Sequence, residues 1–281
     1  MYTVKLDINE LIREDVPYFD LTSYAMGLNH QKSRIAVYTR EDCVVCGTEE
    51  AAEVFDRLGI ETISKVESGV EAKAKDELLV GVGEATGVFT SWKVVQNLID
   101  HCSGIATQTR KLVKNAKEVN PNIEVLTTRK IFPGTKALAV KSIMAGGAMP
   151  HRMGLSETVL VFPQHINILG GQEEFIKTLP QLKRKCCEKK ILVETNVLED
   201  AIRYCKEGAD GIQVDKLSVE ELKKFASGLK QAAPHAVILG AGGINPGNVK
   251  EYAATGIDGI VTTSLYHAKP IDVGVKITPV K

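Results

Sequence analysis

Lys190 to Asp215 reads KILVETNVLEDAIRYCKEGADGIQVD. ILV is apolar on consecutive residues, as in a strand buried on both faces; LEDAIRYCKEGA has a helical pattern; GIQVD is a second short β-rich run. Strand, helix and strand in this order predict a βαβ unit, in which the two strands run parallel. Outward from it the alternation continues, through IEVLTT and ETVLVF upstream and AVILGAG and GIVTTS downstream, with VEELKKFASGLKQAA between strands. The pattern predicts an α/β region over residues 116–269. About six strands fall short of the eight of a closed barrel, so an open sheet covered by helices or an incomplete α/β barrel fits. In either arrangement ligands bind at the carboxyl ends of the strands.

Residues 1–115 read differently. A short helix (INELIRED), strands at RIAVYTR, ETISKV and LLVGVGE, and a long amphipathic segment from about Val88 to Ala116 predict a separate α+β domain. VGVKITPV alternates like a half-buried strand, so 270–281 is expected to return to that N-terminal sheet.

The chain of 281 residues carries 35 basic and 35 acidic side chains. A balanced charge argues against nucleic acid and against membrane surfaces as partners, since both are held by summed positive charge. No apolar run approaches the roughly 20 residues that span a bilayer, and the acidic start does not read as a signal peptide; a cytoplasmic location is expected. Cys43 and Cys46 form one C-x-x-C with no second pair to complete a zinc site, so no zinc is expected and the six cysteines read as free thiols.

Against the neutral whole, Thr127–Glu157 concentrates Arg129, Lys130, Lys136, Lys141, His151 and Arg152 around Pro-Gly and Gly-Gly turns, the composition of an anion site. The predicted strand ends add Phe162, Glu194, Asp215, Gly242 and Gly243, then Thr262, Thr263 and Ser264. Asn245 and Pro246 read as N-cap and first residue of a helix whose positive end would face the glycines. Singly, each feature has a plain structural role: glycine turns serve close packing, and a carboxylate caps a helix or pairs with a lysine. Together they suit a phosphorylated, metal-associated substrate, because grouping ionisable side chains is unfavourable unless a ligand compensates them.

The segment TTRKIFPGT…AGGAMPHRMGL resembles the signature of the quinolinate phosphoribosyltransferases, and the likeness continues through SGIATQTR upstream and VET, VD, GGIN and YAATGID downstream. FPGTKALAVK, HRMGLSETVLVFPQH and TTSLYHA are more similar to the ModD branch, molybdenum-transport-associated relatives of those enzymes. The resemblance implies an N-terminal α/β sandwich domain plus an incomplete barrel, in a homodimer or higher homo-oligomer with a shared active site. It implies transfer of ribose 5-phosphate from 5-phosphoribosyl-1-diphosphate to a pyridine nitrogen with magnesium. Lys130, Glu194 and Asp215 match the family's catalytic positions, the two carboxylates also serving magnesium, indirectly or through water. Arg129, His151 and Arg152 match the residues holding the acceptor's carboxylates, and Ala241, Gly242, Gly243, Thr263 and Ser264 fall at the phosphate end.

Departures from the quinolinate pattern are specific. Lys93 stands where the family sends an arginine across the dimer, Phe162 where a lysine ends the second barrel strand, Ala241 for a serine and Thr263 for a glycine. Lys141 is shifted one position from the family's basic residue, about 100° around a helix. Fewer cations suggest a pyridine carboxylate-like acceptor less anionic than quinolinate. The alternatives are a quinolinate phosphoribosyltransferase of NAD biosynthesis and a non-catalytic anion binder linked to molybdate handling.

Overall fold

The computed structural model describes residues 6–28 and 30–280. Met1–Lys5, in the acidic start, and Lys281, in the span expected to return to the first sheet, lie outside the described residues. In chain order the elements are α1 (Ile8–Asp15), α2 (Leu21–Ala25), β1 (Lys32–Thr39), β2 (Cys43–Val44), α3 (Thr48–Arg57), β3 (Glu61–Lys65), β4 (Glu71–Ala72), β5 (Glu77–Glu84) and α4 (Ala85–Val119). There follow β6 (Glu124–Thr127), α5 (Lys136–Gly146), β7 (Met149–Pro150), β8 (Val159–Val161), α6 (Pro163–Ile168), α7 (Gln172–Lys185), β9 (Ile191–Glu194), α8 (Leu198–Lys206), β10 (Gly211–Asp215), α9 (Val219–Ala232), β11 (Val237–Ala241), α10 (Val249–Ala253), β12 (Gly259–Thr262) and β13 (Val273–Pro279).

The chain divides into two compact units, residues 1–110, 131–147 and 266–281 in the first and 111–130 with 148–265 in the second. In the first, an antiparallel sheet of order β13-β1-β5-β3 is covered by α3, and its core gathers Ile35, Val37, Val54, Phe55, Leu79, Val95, Ile99 and Val273. Gly81 on β5 is required by that packing, because a Cβ there would stand 2.7 Å from the Phe55 ring and 2.6 Å from Ile60.

Residues 131–147, expected within the barrel region, group with the first unit instead. Gly146 lets α5 approach α4, since a Cβ would lie 2.4 Å from that of Thr109, and Arg110 caps the end of α5 through the Ala145 and Gly146 carbonyls. Lys141, read from sequence as part of a cationic anion site, is 3% exposed, with Nζ 2.8 Å from Glu49 Oε2 and 2.6 Å from Glu50 Oε2. Its charge is consumed inside the unit. Burial pushes the Glu49 carboxyl up, but the Lys141 ammonium and the Ser68 hydroxyl and N–H outweigh it and hold it at about 2.

The second unit contains a seven-stranded sheet, order β7-β6-β12-β11-β10-β9-β8, in which all pairings are parallel. Six strands correspond to the runs read from sequence; the seventh, β7, is only two residues long. Carboxylates tie down the amino ends of the strands: Asp210 Oδ2 accepts from Ile191 N and Asp258 Oδ2 from Ile238 N, both at 2.7 Å. Helix α9 begins on a capping box, Ser218 Oγ accepting from Glu221 N while Glu221 accepts from Ser218 N.

Candidate active site

Side chains alternate across a strand, so register fixes which residues share the interior of the curved sheet. Leu126, Leu160, Leu192, Leu239 and Val261 form one apolar layer there. Burying each contributes about 1.5–3 kcal/mol, which makes the layer a firm floor. Two residues further along each strand, toward its carboxyl end, stand Thr128, Phe162, Glu194, Ala241 and Thr263. Gln213 is paired in register with Glu194, and Asp215 with Ala241, so both also face inward. The polar ring above the floor follows from the two-residue period.

This ring lines a cavity of about 610 Å³, a volume suited to a small-molecule ligand. Arg129, Lys130, His151, Arg152, Phe162, Glu194, Asp215, Ala241, Gly242, Gly243, Thr263 and Ser264, all named from sequence, line it. Lys93 does not. It lies on α4 in the first unit, its ammonium 3.0 Å from Gln96 Oε1 and 5.2 Å from the centre of the Trp92 ring.

The charges are partly desolvated and set near their own kind. Burial raises the Glu194 carboxyl above its ordinary value; donation by Gln213 and the charges of Lys130 and Lys216 oppose the rise, and Asp215 adds to it. Arg152 is lowered, first by burial and then by the neighbouring Arg129 guanidinium. Two crowded cations and two crowded carboxylates in one cavity favour a ligand carrying both an anionic part and a cationic or metal-associated part.

The loop after β11 gives the cavity a backbone wall. Gly242 and Gly243 take φ of +93° and +73°, which glycine adopts without a Cβ penalty. Among the described residues neither glycine N–H donates to another backbone group. The helix expected to begin at Asn245-Pro246 does not: α10 starts at Val249 and has five residues. Asn245 Oδ1 instead accepts from Gly247 N at 2.9 Å, closing a turn that delays the helix. Thr263 Oγ1 lies 2.8 Å from Thr128 Oγ1, and Ser264 Oγ 2.9 Å from Thr262 Oγ1.

Several lining residues escaped the sequence reading, among them Thr128, Gln164, Gln213, Lys216 and Ile244. Parity alone would have found Gln213, two residues before Asp215. Lys216 has a positive φ of +60° and its Nζ lies 3.6 Å from Asp215 Oδ2.

A parallel half-barrel carrying this ring of cations, carboxylates and glycines at its strand ends is the framework of a phosphoribosyltransferase. The chain belongs to the quinolinate phosphoribosyl transferase family: residues 20–103 match its N-terminal domain and 105–276 its C-terminal domain. It is therefore an enzyme of the pentosyltransferase class. It is similar to ModD proteins, named as pyrophosphorylases, from Pasteurella multocida (34% identical over 277 residues, 99% of this chain and 98% of the relative) and Escherichia coli O6:H1 (31% over 279 residues, 99% and 98%). The solved nicotinate-nucleotide pyrophosphorylase of Francisella tularensis superposes with a TM-score of 0.87 at 26% identity, covering 96% of this chain and 94% of that one. Among the described residues no helix is long and apolar enough to cross a membrane.

Proposed function

We propose that the enzyme transfers the 5-phosphoribosyl group of 5-phosphoribosyl-1-diphosphate to the ring nitrogen of a small aromatic acid less anionic than quinolinate. The observation that carries this reading is the composition of this one cavity: Glu194 and Asp215 on adjacent strands with inward-facing side chains, together with Arg129, Lys130, His151 and Arg152, and with Phe162 on the wall. In the reaction the acceptor nitrogen forms a bond to the anomeric carbon while the bond to the diphosphate oxygen breaks, and diphosphate leaves with the electron pair. Glu194 and Asp215 face the positive charge that develops on the ribosyl ring, and Lys130 faces the departing diphosphate. Catalysis of this kind is electrostatic and positional. Arg129, His151 and Arg152 hold the acceptor's carboxylate, and Phe162 offers a face to its ring. The loop from Ala241 to Gly243, with Thr263 and Ser264, receives the 5-phosphate.

The carboxylate pair also fits magnesium. Among the described residues no third His, Cys, Asp or Glu joins a cluster able to hold a metal. Such a pair suits an ion that keeps several waters and takes other ligands from substrate phosphates. Glu194 and Asp215 would hold it, indirectly or through water, and it would neutralise charge on the leaving diphosphate. A homodimer or higher homo-oligomer with a shared active site is part of the proposal, supported by family membership.

Purified protein supplied with 5-phosphoribosyl-1-diphosphate, magnesium and a panel of pyridine mono- and dicarboxylates is the test. Diphosphate release with a monocarboxylate and weak turnover of quinolinate are expected. Quinolinate turnover equal to that of a dedicated enzyme would overturn the acceptor assignment and place the protein in NAD biosynthesis. Thermal stabilisation by molybdate alone, with none from magnesium and phosphoribosyl diphosphate, would overturn the transferase reading.

A further inference from the structure

Gln213 links the two halves of the cavity. Its Nε2 lies 2.7 Å from Glu194 Oε2, and its Oε1 lies 3.0 Å from His151 Nε2. The amide is 6% exposed and comes from the middle of the sheet, paired in register with Glu194. An ionised carboxylate only accepts hydrogen bonds, so the amide must present its N–H₂ to Glu194 and its oxygen to His151. An oxygen facing Nε2 requires a proton on Nε2. The imidazole is thereby held in one tautomer, and when neutral it keeps Nδ1 as its remaining acceptor.

We infer that Gln213 is a positioning residue that locks the Nε2–H tautomer of His151 and orients Glu194, so that the group assigned to the acceptor and the carboxylate assigned to the ribosyl ring are set by one amide. The roles of the two ends rest on the transferase reading; the bridge itself does not. An amide is suited to this task because its donor and acceptor ends are opposed and carry no net charge. A methionine of similar volume would fill the space and orient neither neighbour.

The experiment compares the full chain with Gln213→Met and Gln213→Glu. Selective ¹⁵N labelling of the histidines, with His151 assigned by the signal lost in His151→Asn, reports the tautomer in the ligand-free protein. The wild type should show Nε2–H. Gln213→Met should lose that preference, and Gln213→Glu should keep it, because an oxygen still faces the ring while the donor to Glu194 is gone. In transfer assays both variants should lower kcat, by about tenfold for one lost hydrogen bond, and Gln213→Met alone should also raise KM for the acceptor. Thermal midpoints near the wild-type value would show that packing is kept.

An Nδ1–H tautomer in the wild type, or identical His151 signals in wild type and Gln213→Met, would overturn the inference. Correct tautomers with no transfer by the wild type would overturn the transferase reading and leave the bridge standing. Correct tautomers with unchanged kcat in both variants would refute the positioning role.

Discussion

Gly242→Ala and Gly243→Ala separate backbone strain from steric collision at neighbouring positions. Both glycines sit in the left-handed region, with φ of +93° and +73°, where a Cβ costs roughly 1–2 kcal/mol. At Gly243 a Cβ would meet nothing within 4 Å. At Gly242 it would stand 2.5 Å from Lys216 Cγ, 2.6 Å from Lys216 N and 2.8 Å from Asp215 Oδ1. The lysine side chain can move aside. Its backbone nitrogen cannot, because it donates to Ala241 O at 2.8 Å. Overpacking against backbone adds about 1–3 kcal/mol, so Gly242→Ala should destabilise by roughly 3 kcal/mol and Gly243→Ala by roughly 1. Scanning calorimetry should show midpoints lowered by about 6–12 °C and about 3 °C respectively, given roughly 2–4 °C per kcal/mol at this size. Gly242→Ala should also displace Asp215 and lower kcat, on the order of tenfold. Equal destabilisation by the two substitutions would refute the argument from Lys216 and Asp215.

Lys141→Met leaves Glu49 and Glu50 buried together without their cation and should cost about 3–5 kcal/mol, read from urea unfolding; a loss below 1 kcal/mol would contradict the burial of the triad. Glu49, held at about 2 against an ordinary 4.5, contributes stability that is fully present above pH 4.5 and lost as pH falls through 2, about 3 kcal/mol in all, visible as acid unfolding that Glu49→Gln largely removes. Asp100 is the opposite case: burial, opposed by Val273 N–H donation, raises it to about 6 from 3.8, so its contribution is present below pH 3.8 and lost as pH rises through 6. Asp100→Asn should therefore stabilise the protein above pH 6, by roughly 1 kcal/mol after solvent screening, and not at pH 3.5; a gain at both values would sink the assignment. Exposed Cys187 should be the first thiol alkylated in the native protein, with buried Cys43, Cys46 and Cys102 reacting only on unfolding; peptide mapping of partly labelled protein tests the order.

The barrel strands were legible in the sequence because parallel strands buried on both faces read as unbroken apolar runs. Where the signal was short it failed: β7 is two residues long and leaves no pattern. Lys141 was misread for a different reason. Its partners lie some ninety residues earlier in the chain, and no local pattern distinguishes a lysine reaching Glu49 and Glu50 from one awaiting an anion. The turn at Asn245 was misplaced because an asparagine before Pro-Gly serves equally as a helix cap and as a turn former, and Gly247 favours the turn.

The bridging amide bears on why the cavity sustains its charges at all. Glu194 is already raised by burial, with Asp215 adding to the rise and Lys130 and Lys216 opposing it. A lysine at 213 would neutralise Glu194 and remove the negative charge that the proposed transfer sets against the ribosyl ring. A glutamate would place a third carboxylate among partly desolvated neighbours, raising Glu194 further. A neutral hydrogen-bonding residue satisfies both His151 and Glu194 while leaving the cavity's division into anionic and cationic parts intact. In the proposed transfer that division would let one small pocket hold a diphosphate and a developing cation at once. On the transfer proposed above, the apolar face of Phe162, where the quinolinate enzymes carry a lysine, would select the acceptor: a second carboxylate on the substrate would be buried there without a partner, at a cost of several kcal/mol.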